Sequence, residues 1–312
     1  MAEKKRRRRK SKKGMTWKKW LLLIIGIFVL AVGALIAKVY VDIKRTASDI
    51  HEIIPERPKS DMRDSEIAFD NQDPFSVLLL GVDEREGDGG RSDTMIVMTV
   101  NPKKDSSMMV SIPRDTLTEI VGQGSEDKLN HAYAFGGVKM ALDSTENLMN
   151  IPLDYAVQVN MESFKEIVDA VGGVDVNNSI AFDGFNEGNI HLNGEEALAY
   201  VRMRKQDPRG DFGRQDRQKQ IVQAVMKEGA SVSSIMNYKD IFDSISANVR
   251  TNLDFDDMVD IQKNYRDAVK DVQQLYFERG EGQMINGVWY YIMNDEELNE
   301  VSTQLREHLE LD

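Results

Sequence analysis

Five arginines, Arg202, Arg204, Arg209, Arg214 and Arg217, fall within one short stretch of this chain, YVRMRKQDPRGDFGRQDRQ. Fifteen arginines follow residue 41, so a third of them gather here. Arginine rather than lysine was used, and a planar guanidinium offers paired donors that match phosphate oxygens. Arg202 and Arg204 are spaced i, i+2 and share one side if the chain is extended. The proline and glycines of DPRGDFG mark a loop. Arg214, Arg217 and Gln218 then fall at i, i+3 and i+4, on one face of a starting helix. The N–H groups of such a helix start would also favour an anion. Asp207, Asp211 and Asp216 are interleaved with the arginines. Two readings stand at this point: a pocket for an anion such as a pyrophosphate, or an internal network of ion pairs.

More charged residues sit where apolar runs stop. LLLGVDERE places Asp83 just past one run, GGRSDT places Arg91 and Asp93 before the next, and SIPRD places Arg114 and Asp115 after a third. In open α/β sheets, ligands bind in the crevice outside the carboxyl ends of the strands. A strand-end aspartate also caps turns, and a loop arginine also sits in solvent. Other chemistries are absent. There is no G-x-S-x-G, H-E-x-x-H or P-loop motif. The absence of cysteine removes thiol catalysis and Cys-ligated zinc. The four histidines, His51, His131, His191 and His308, are too scattered to argue a metal site. His131, in LNHAYAFGG, reads as a packed helix residue.

The elements that must hold these residues are strands and helices in mixture. FSVLLLGVD, DTMIVMTVNP and SSMMVSIPRD are near-continuous apolar runs, which predicts strands covered on both faces. YAVQVN and GVWYYIM are further strands. KLNHAYAFGGVKMALDSTENLMN reads as helix interrupted at Gly136-Gly137. MESFKEIVDAVGGVDV is a helix closed by Gly172-Gly173 and followed by a short strand. LNGEEALAYVRMR is a helix or a helix-to-strand passage. Residues 214–229, 238–250 and 254–270 read as helices, and a last amphipathic helix starts at an Asn294 N-cap. This pattern predicts an α/β class, an α/β/α domain around a central mixed sheet, without internal repeats.

The charge is divided. The chain carries 40 Lys+Arg and 52 Asp+Glu, for a formal net charge of −12. The first nineteen residues hold 11 of the basic residues and one acid, leaving 29 basic and 51 acidic residues, net −22, in the body. Between head and body lies LLLIIGIFVLAVGALIA, long enough with its flanks to span a bilayer, which takes about 20 residues. Trp17, Trp20 and Tyr40 fall where interfacial aromatics belong, and the basic side is the cytoplasmic one. The run exceeds the apolar core of a signal peptide and lacks a small-residue cleavage site. The expected organisation is a basic cytoplasmic tail at 1–19, a signal anchor at 20–41, an extracellular stalk at 42–73 and an extracellular domain at 74–312. The acidic body would repel a polyanion, so nucleic acid is not an expected partner.

Several blocks together resemble the LytR-CpsA-Psr family: LLLGVDEREGDGGRSDTMIVMTVNP, VSIPRDT, KLNHAYAFGG, VGGVDV, LNGEEALAYVRMRK and DPRGDFGRQDRQ. The resemblance runs from about Phe75 to Val225. It implies a phosphotransferase that moves an anionic glycopolymer, such as wall teichoic acid, from an undecaprenyl-pyrophosphate carrier to peptidoglycan. The implied acceptor is the C6 hydroxyl of N-acetylmuramic acid, and the implied cofactor is Mg2+. By position, Arg114, Arg202, Arg204, Arg214 and Gln218 would bind the pyrophosphate, with Arg217, Arg209 and Arg91 as further members and Asp211 as organiser. Asp83 and Asp93 would hold the metal. Asp93, Arg114, Arg202 and Arg204 would carry the chemistry, and Asp93 is also the candidate to orient or deprotonate the acceptor hydroxyl. An apolar groove would take the prenyl chain, with Val157, Val159, Phe164, Ile167, Val168, Ile221, Val222 and Val225 as candidate lining. The same pocket would also serve hydrolysis with water as acceptor, or lipid binding without turnover.

Overall fold

The structure, a computed structural model, describes residues 59–83, 90–231 and 249–311. The expected tail, anchor and first part of the stalk lie outside the described residues. Among the described residues, no helix is long and apolar enough to cross a membrane.

The three apolar runs form β1 (Phe75–Val82), β2 (Ser92–Asn101) and β3 (Ser106–Ser111). Two short hairpin strands follow, β4 (Leu117–Ile120) and β5 (Ser125–Lys128), then α1 (Leu129–Met149) and β6 (Tyr155–Val159). Helix α2 (Met161–Ala170) leads to the ribbon of β7 (Val174–Asn178) and β8 (Gly188–Leu192), and then to α3 (Gly194–Arg202) and α4 (Asp211–Ser231). The chain continues through β9 (Val249–Thr251), α5 (Phe255–Asn264) and β10 (Val272–Leu275). It ends with the hairpin of β11 (Glu281–Ile285) and β12 (Val288–Ile292), then α6 (Asp295–His308).

The central sheet has the order β10-β3-β2-β1-β6-β9. It is mixed. β2 runs antiparallel to both β1 and β3, β6 is parallel to β1, β10 is parallel to β3, and β9 is antiparallel to β6. Side chains alternate across a strand, and here both faces are covered. Leu78, Leu80 and Val82 join Val97 and Val110 under α1 and α6, with Leu142 and Leu305. Phe75, Val77, Ile96, Met98 and Met109 pack on the other face with Leu253 and Tyr265, and with Val222 and Met226 of α4. Each fully buried side chain of this kind contributes about 1.5–3 kcal/mol. That explains why these strands are apolar throughout rather than alternating. A separate core lies under α2, α3 and the β7–β8 ribbon, around Val168, Leu198, Tyr200 and Ile221. The α/β/α expectation therefore holds.

Local signals act as expected in most places. Helix α1 is broken at Gly136 (φ −145°) and at Gly137, whose φ of 64° favours glycine. Asn160, Asn193 and Asp254 close capping boxes at α2, α3 and α5, and Asn294 caps α6.

Three expectations change. Residues 60–73 are part of the domain, not of a stalk. Ser60 is buried and donates to Glu146, Arg63 grips Asp154 at 2.7 and 3.0 Å, and Phe69 stacks among Phe75, Tyr155 and Tyr265. The helix expected at 254–270 ends at Asn264. Of the helix expected at 238–250, the part through 248 lies outside the described residues, and Val249 and Arg250 are strand, because β9 completes the sheet edge beside β6. Strand β12 is the strand expected at GVWYYIM, whereas β4, β5 and β11 went unforeseen because they are short and largely polar or exposed.

Candidate active site

The carboxyl ends of β1 and β3 and the start of β2 lie at one edge of the sheet, and α4 begins beside them. The pairing of β1 with β2 slips there. Gly81 faces Thr94 and Val82 faces Ser92, so Asp93 is the extra residue of a bulge. Bulges re-aim side chains and are frequent beside active sites. Gly81 is required at this point, since a Cβ there would come 2.8 Å from the Thr94 Cβ. Just beyond the slip, the Asp83 N–H donates to the Arg91 carbonyl at 3.3 Å. Asp83, Arg91 and Asp93 therefore share one rim, and Arg114 joins them from the turn after β3.

These four residues line a polar cavity of about 400 Å³ together with Asp115, Lys128, Asn130 and His131. Arg114 Nη1 donates to Asp93 Oδ1 at 2.6 Å, and its Nε lies 3.6 Å from Asp115 Oδ2. Asp115 is held from the far side by Lys128 Nζ at 2.7 Å. A narrow cleft opens alongside, lined by Asp93, Arg114, Asp211, Arg214, Gln215 and Gln218. Here the first turns of α4 reach the sheet edge. Arg214 Nη2 lies 2.8 Å from Asp211 Oδ1, and Arg204 Nε approaches the same oxygen at 3.7 Å.

The electrostatics of this corner are uneven. Burial works against the charge of Arg114, but its pairing with Asp93 outweighs that and raises its pKa. Arg214 goes the other way. Burial lowers its pKa, Asp211 offsets part of this, and repulsion from Arg114 and Arg204 lowers it further. Its Nε is buried without a hydrogen-bond acceptor among the described residues. Three guanidiniums thus lie close together, with an acceptor wanting at the buried Nε of Arg214. An anion with several oxygens would supply that acceptor and relieve the repulsion.

The arginine-rich stretch is therefore not one cluster. Arg204 and Arg214 join Arg114, with Asp211 between them and Gln218 on the same helix face. Arg217 does not belong with them. It is 4 % exposed and donates to Asp207 Oδ2 and to the Met203 carbonyl, both at 2.6 Å, beneath the rings of Phe182 and Tyr200. Asp207 also accepts from the Arg209 N–H at 2.8 Å, and its pKa falls because these donors outweigh the burial that would raise it. Gly213 makes this packing possible, since a Cβ there would sit 1.8 Å from Asp207 Oδ2. Arg209 pairs with Asp216 on another side of α4. Arg202 closes α3 and is exposed, and it pairs with no described residue. Helical backbone at Arg202, rather than strand, undoes the shared side expected for Arg202 and Arg204. The internal network is present around Arg217 and Asp207, and the arginines that could serve an anion are the neighbouring Arg114, Arg204 and Arg214.

For a divalent cation, Asp83 and Asp93 are the candidate carboxylates of the cavity, since Asp115, the third that lines it, is already paired with Lys128 and Arg114. Among the described residues, no three acidic, histidine or cysteine side chains group as a metal cage. Two carboxylates in a roomy polar cavity suit Mg2+, which keeps several of its waters, better than a cation wanting an all-protein cage.

His131 and Asp127 were missed as site residues. Their spacing, i and i+4 across the start of α1, was the available signal. His131 Nδ1 meets Asp127 Oδ2 at 2.8 Å on the cavity wall. Of the residues expected to line an apolar groove, Val168 and Ile221 are core. Val157, Val159, Phe164, Ile167, Val222 and Val225 are half-buried.

The chain is similar to known proteins over most of its length. The model of the LytR_cpsA_psr family matches residues 37–307. The polyisoprenyl-teichoic acid–peptidoglycan teichoic acid transferase TagU of Bacillus licheniformis is 51% identical over 306 residues, covering 97% of this chain and 98% of that protein. The crystal structure of B. subtilis TagU superposes with a TM-score of 0.64 at 48% identity, over 77% of this chain and 98% of that one. A structure of TagT bound to LI-WTA superposes with a TM-score of 0.72 at 32% identity, over 84% and 100%.

Proposed function

This chain belongs to the LytR_cpsA_psr family, and on that premise we propose that it is a teichoic acid transferase. It moves a polymer from a polyisoprenyl-pyrophosphate carrier to the C6 hydroxyl of muramic acid in peptidoglycan, forming a phosphodiester. The observation that carries this reading is the crowding of Arg114, Arg204 and Arg214 around one cleft, with the Arg214 charge disfavoured and its Nε lacking an acceptor.

Phosphoryl transfer asks little covalent chemistry of a protein. It asks for positioning and for neutral surroundings for the charge spread over the phosphoryl oxygens, where one well-placed arginine is worth about 10³–10⁵ in rate. Arg114 spans the cavity and the cleft, so it is the residue best suited to the reacting phosphoryl group. Arg204 and Arg214 bind the diphosphate from the α4 side, and Gln218 adds an amide. Asp211 Oδ1 lies within ion-pair distance of both arginines and offsets part of their charge. Asp93 holds Arg114 in place, and that use of its Oδ1 argues against Asp93 as proton acceptor.

Asp83 and Asp93 are the residues that would hold Mg2+. The ion would supply positive charge to the phosphate oxygens. The basic head and the apolar stretch at 20–41 support an anchor with the N-terminus in the cytoplasm and the domain outside. Such an anchor would tether the domain to the membrane that holds the lipid carrier. The half-buried apolar residues beside α4 are candidates to contact the prenyl chain.

The test uses the full chain in phospholipid vesicles with a synthetic prenyl-pyrophosphate-linked disaccharide, peptidoglycan, and Mg2+ or EDTA. The reading expects label to become bound to peptidoglycan only with Mg2+, and prenyl monophosphate to be released in equal amount. Release of free phosphorylated sugar with none attached would instead make the protein a hydrolase.

A further inference from the structure

We propose that His131, oriented by Asp127, takes the proton from the acceptor hydroxyl; this rests on the transferase reading above. The sheet-edge cavity has two walls. The arginines and Asp93 form one, and they answer the needs of the diphosphate. Asp93 Oδ1 is committed to Arg114 at 2.6 Å and Asp115 Oδ1 to Lys128 at 2.7 Å, so neither of these oxygens is open to the acceptor proton. The second wall carries an imidazole that donor binding does not use. His131 Nδ1 is 2.8 Å from Asp127 Oδ2, so Asp127 accepts the Nδ1 proton and Nε2 keeps its lone pair. Asp127 is itself fixed. Its Oδ1 accepts from the Lys128 N–H at 2.8 Å and from the Tyr290 hydroxyl at 3.4 Å. The ring edge of Phe135 braces the imidazole at 5.9 Å between centroids. A base held by a carboxylate and lining the same cavity as the phosphate-binding groups is the arrangement that activates a hydroxyl nucleophile.

The charges around the imidazole come from three directions. Asp127 and the Lys128–Asp115 pair stand on its own side, with the neutral Tyr290 behind Asp127. Asp83, Arg91, Asp93 and Arg114 line the same cavity, and the Arg114 carbonyl accepts from the Asn130 N–H beside His131 at 3.1 Å. The step balances. The C6 oxygen attacks the phosphorus that bears the polymer, and the O–P bond forms. The bond to the bridging oxygen breaks, prenyl monophosphate leaves with the electron pair, and the hydroxyl proton passes to His131 Nε2. Asp127 is a positioning residue that stabilises the imidazolium.

The experiment compares wild type, His131→Gln, His131→Ala and Asp127→Asn as full chains in vesicles. Donor affinity is measured separately from transfer, with prenyl pyrophosphate as probe. His131→Gln is expected to lower turnover about 10²–10⁴-fold, to leave donor affinity within about threefold, and to abolish the acidic limb of the pH–rate profile. Imidazole should restore part of the His131→Ala rate. Asp127→Asn should lower the transfer rate while leaving donor affinity near that of wild type, because the imidazole loses the carboxylate that orients it. A His131→Gln variant with wild-type rate and pH profile overturns the proposal. So does a loss of rate that tracks a loss of donor affinity or of folding. Wild type that binds donor but never transfers would refute the transferase reading, and the dyad's role with it.

Discussion

Arg214 and Arg217 are three residues apart on one helix, yet their replacement should have opposite consequences. Arg217→Ala leaves the Asp207 carboxylate buried with one remaining backbone donor. Removing one partner of a buried ion pair costs about 3–5 kcal/mol. At roughly 2–4 °C per kcal/mol for a domain of this size, Tm should fall by about 10 °C. Arg214→Ala removes a charge that burial and two neighbouring guanidiniums already disfavour, so it should move Tm by no more than about 2 °C, in either direction. Pyrophosphate reverses the ranking. A ligand that binds only the folded state stabilises it by RT ln(1 + [L]/Kd), about 2.7 kcal/mol at a hundred times Kd. Wild type and Arg217→Ala should both gain Tm with added pyrophosphate, and Arg214→Ala should not. Thermal unfolding followed by circular dichroism, with and without pyrophosphate, reads both effects. Equal destabilisation by the two substitutions, or an undiminished ligand shift in Arg214→Ala, would refute the division of the arginine stretch into a structural and a binding half.

Other consequences follow from single contacts. His308 is buried between the Thr99 and Ser106 hydroxyls, at 2.8 and 3.1 Å, and burial pushes its pKa down to about 4. The unfolded chain takes up this proton near pH 6.5 while the folded chain resists it, so the contribution is present above 6.5 and is lost as pH falls toward 4. Stability should drop by about 3 kcal/mol over that window from this group, and denaturant titrations of His308→Gln should show a correspondingly flatter pH dependence. Gly213→Ala should destabilise by about 1–3 kcal/mol, because the new Cβ meets the Asp207 carboxylate; a Tm equal to wild type would contradict that contact. Asp83→Asn and Asp93→Asn should each weaken Mg2+ binding, seen as a smaller Mg2+-dependent rise in Tm than in wild type.

Much of the sheet was legible because burial on both faces writes a continuous apolar run, as in Phe75–Val82. Capping asparagines and the Gly136-Gly137 break were legible for a similar reason, since each answers a local backbone need. The partition of the arginines was not. Whether Arg217 or Arg214 turns to the cleft depends on Asp207 and Met203 folding back over α4, and spacing along a helix does not encode that return. Residues 60–73 read as a stalk because their attachments are long-range, through Arg63 to Asp154 and Phe69 to Tyr265. A lone histidine in a helix is ordinarily a packed residue, so the sequence does not mark His131 as part of the site. Only the turn that brings Asp115, Lys128 and Arg114 to the same cavity gives it a second meaning.

Single-turnover transfer with Arg114→Ala and Arg114→Lys tests the central claim most directly. Preformed enzyme–donor complex is mixed with peptidoglycan and Mg2+, and the muramic acid 6-phosphodiester is counted after digestion. Arg114→Ala should bind donor but transfer it about 10³-fold more slowly or worse. Lysine should recover little of that rate, because a point charge cannot span the cavity and Asp93 as the guanidinium does. Transfer by Arg114→Ala at the wild-type rate, or wild-type complex that forms no phosphodiester, would contradict the account.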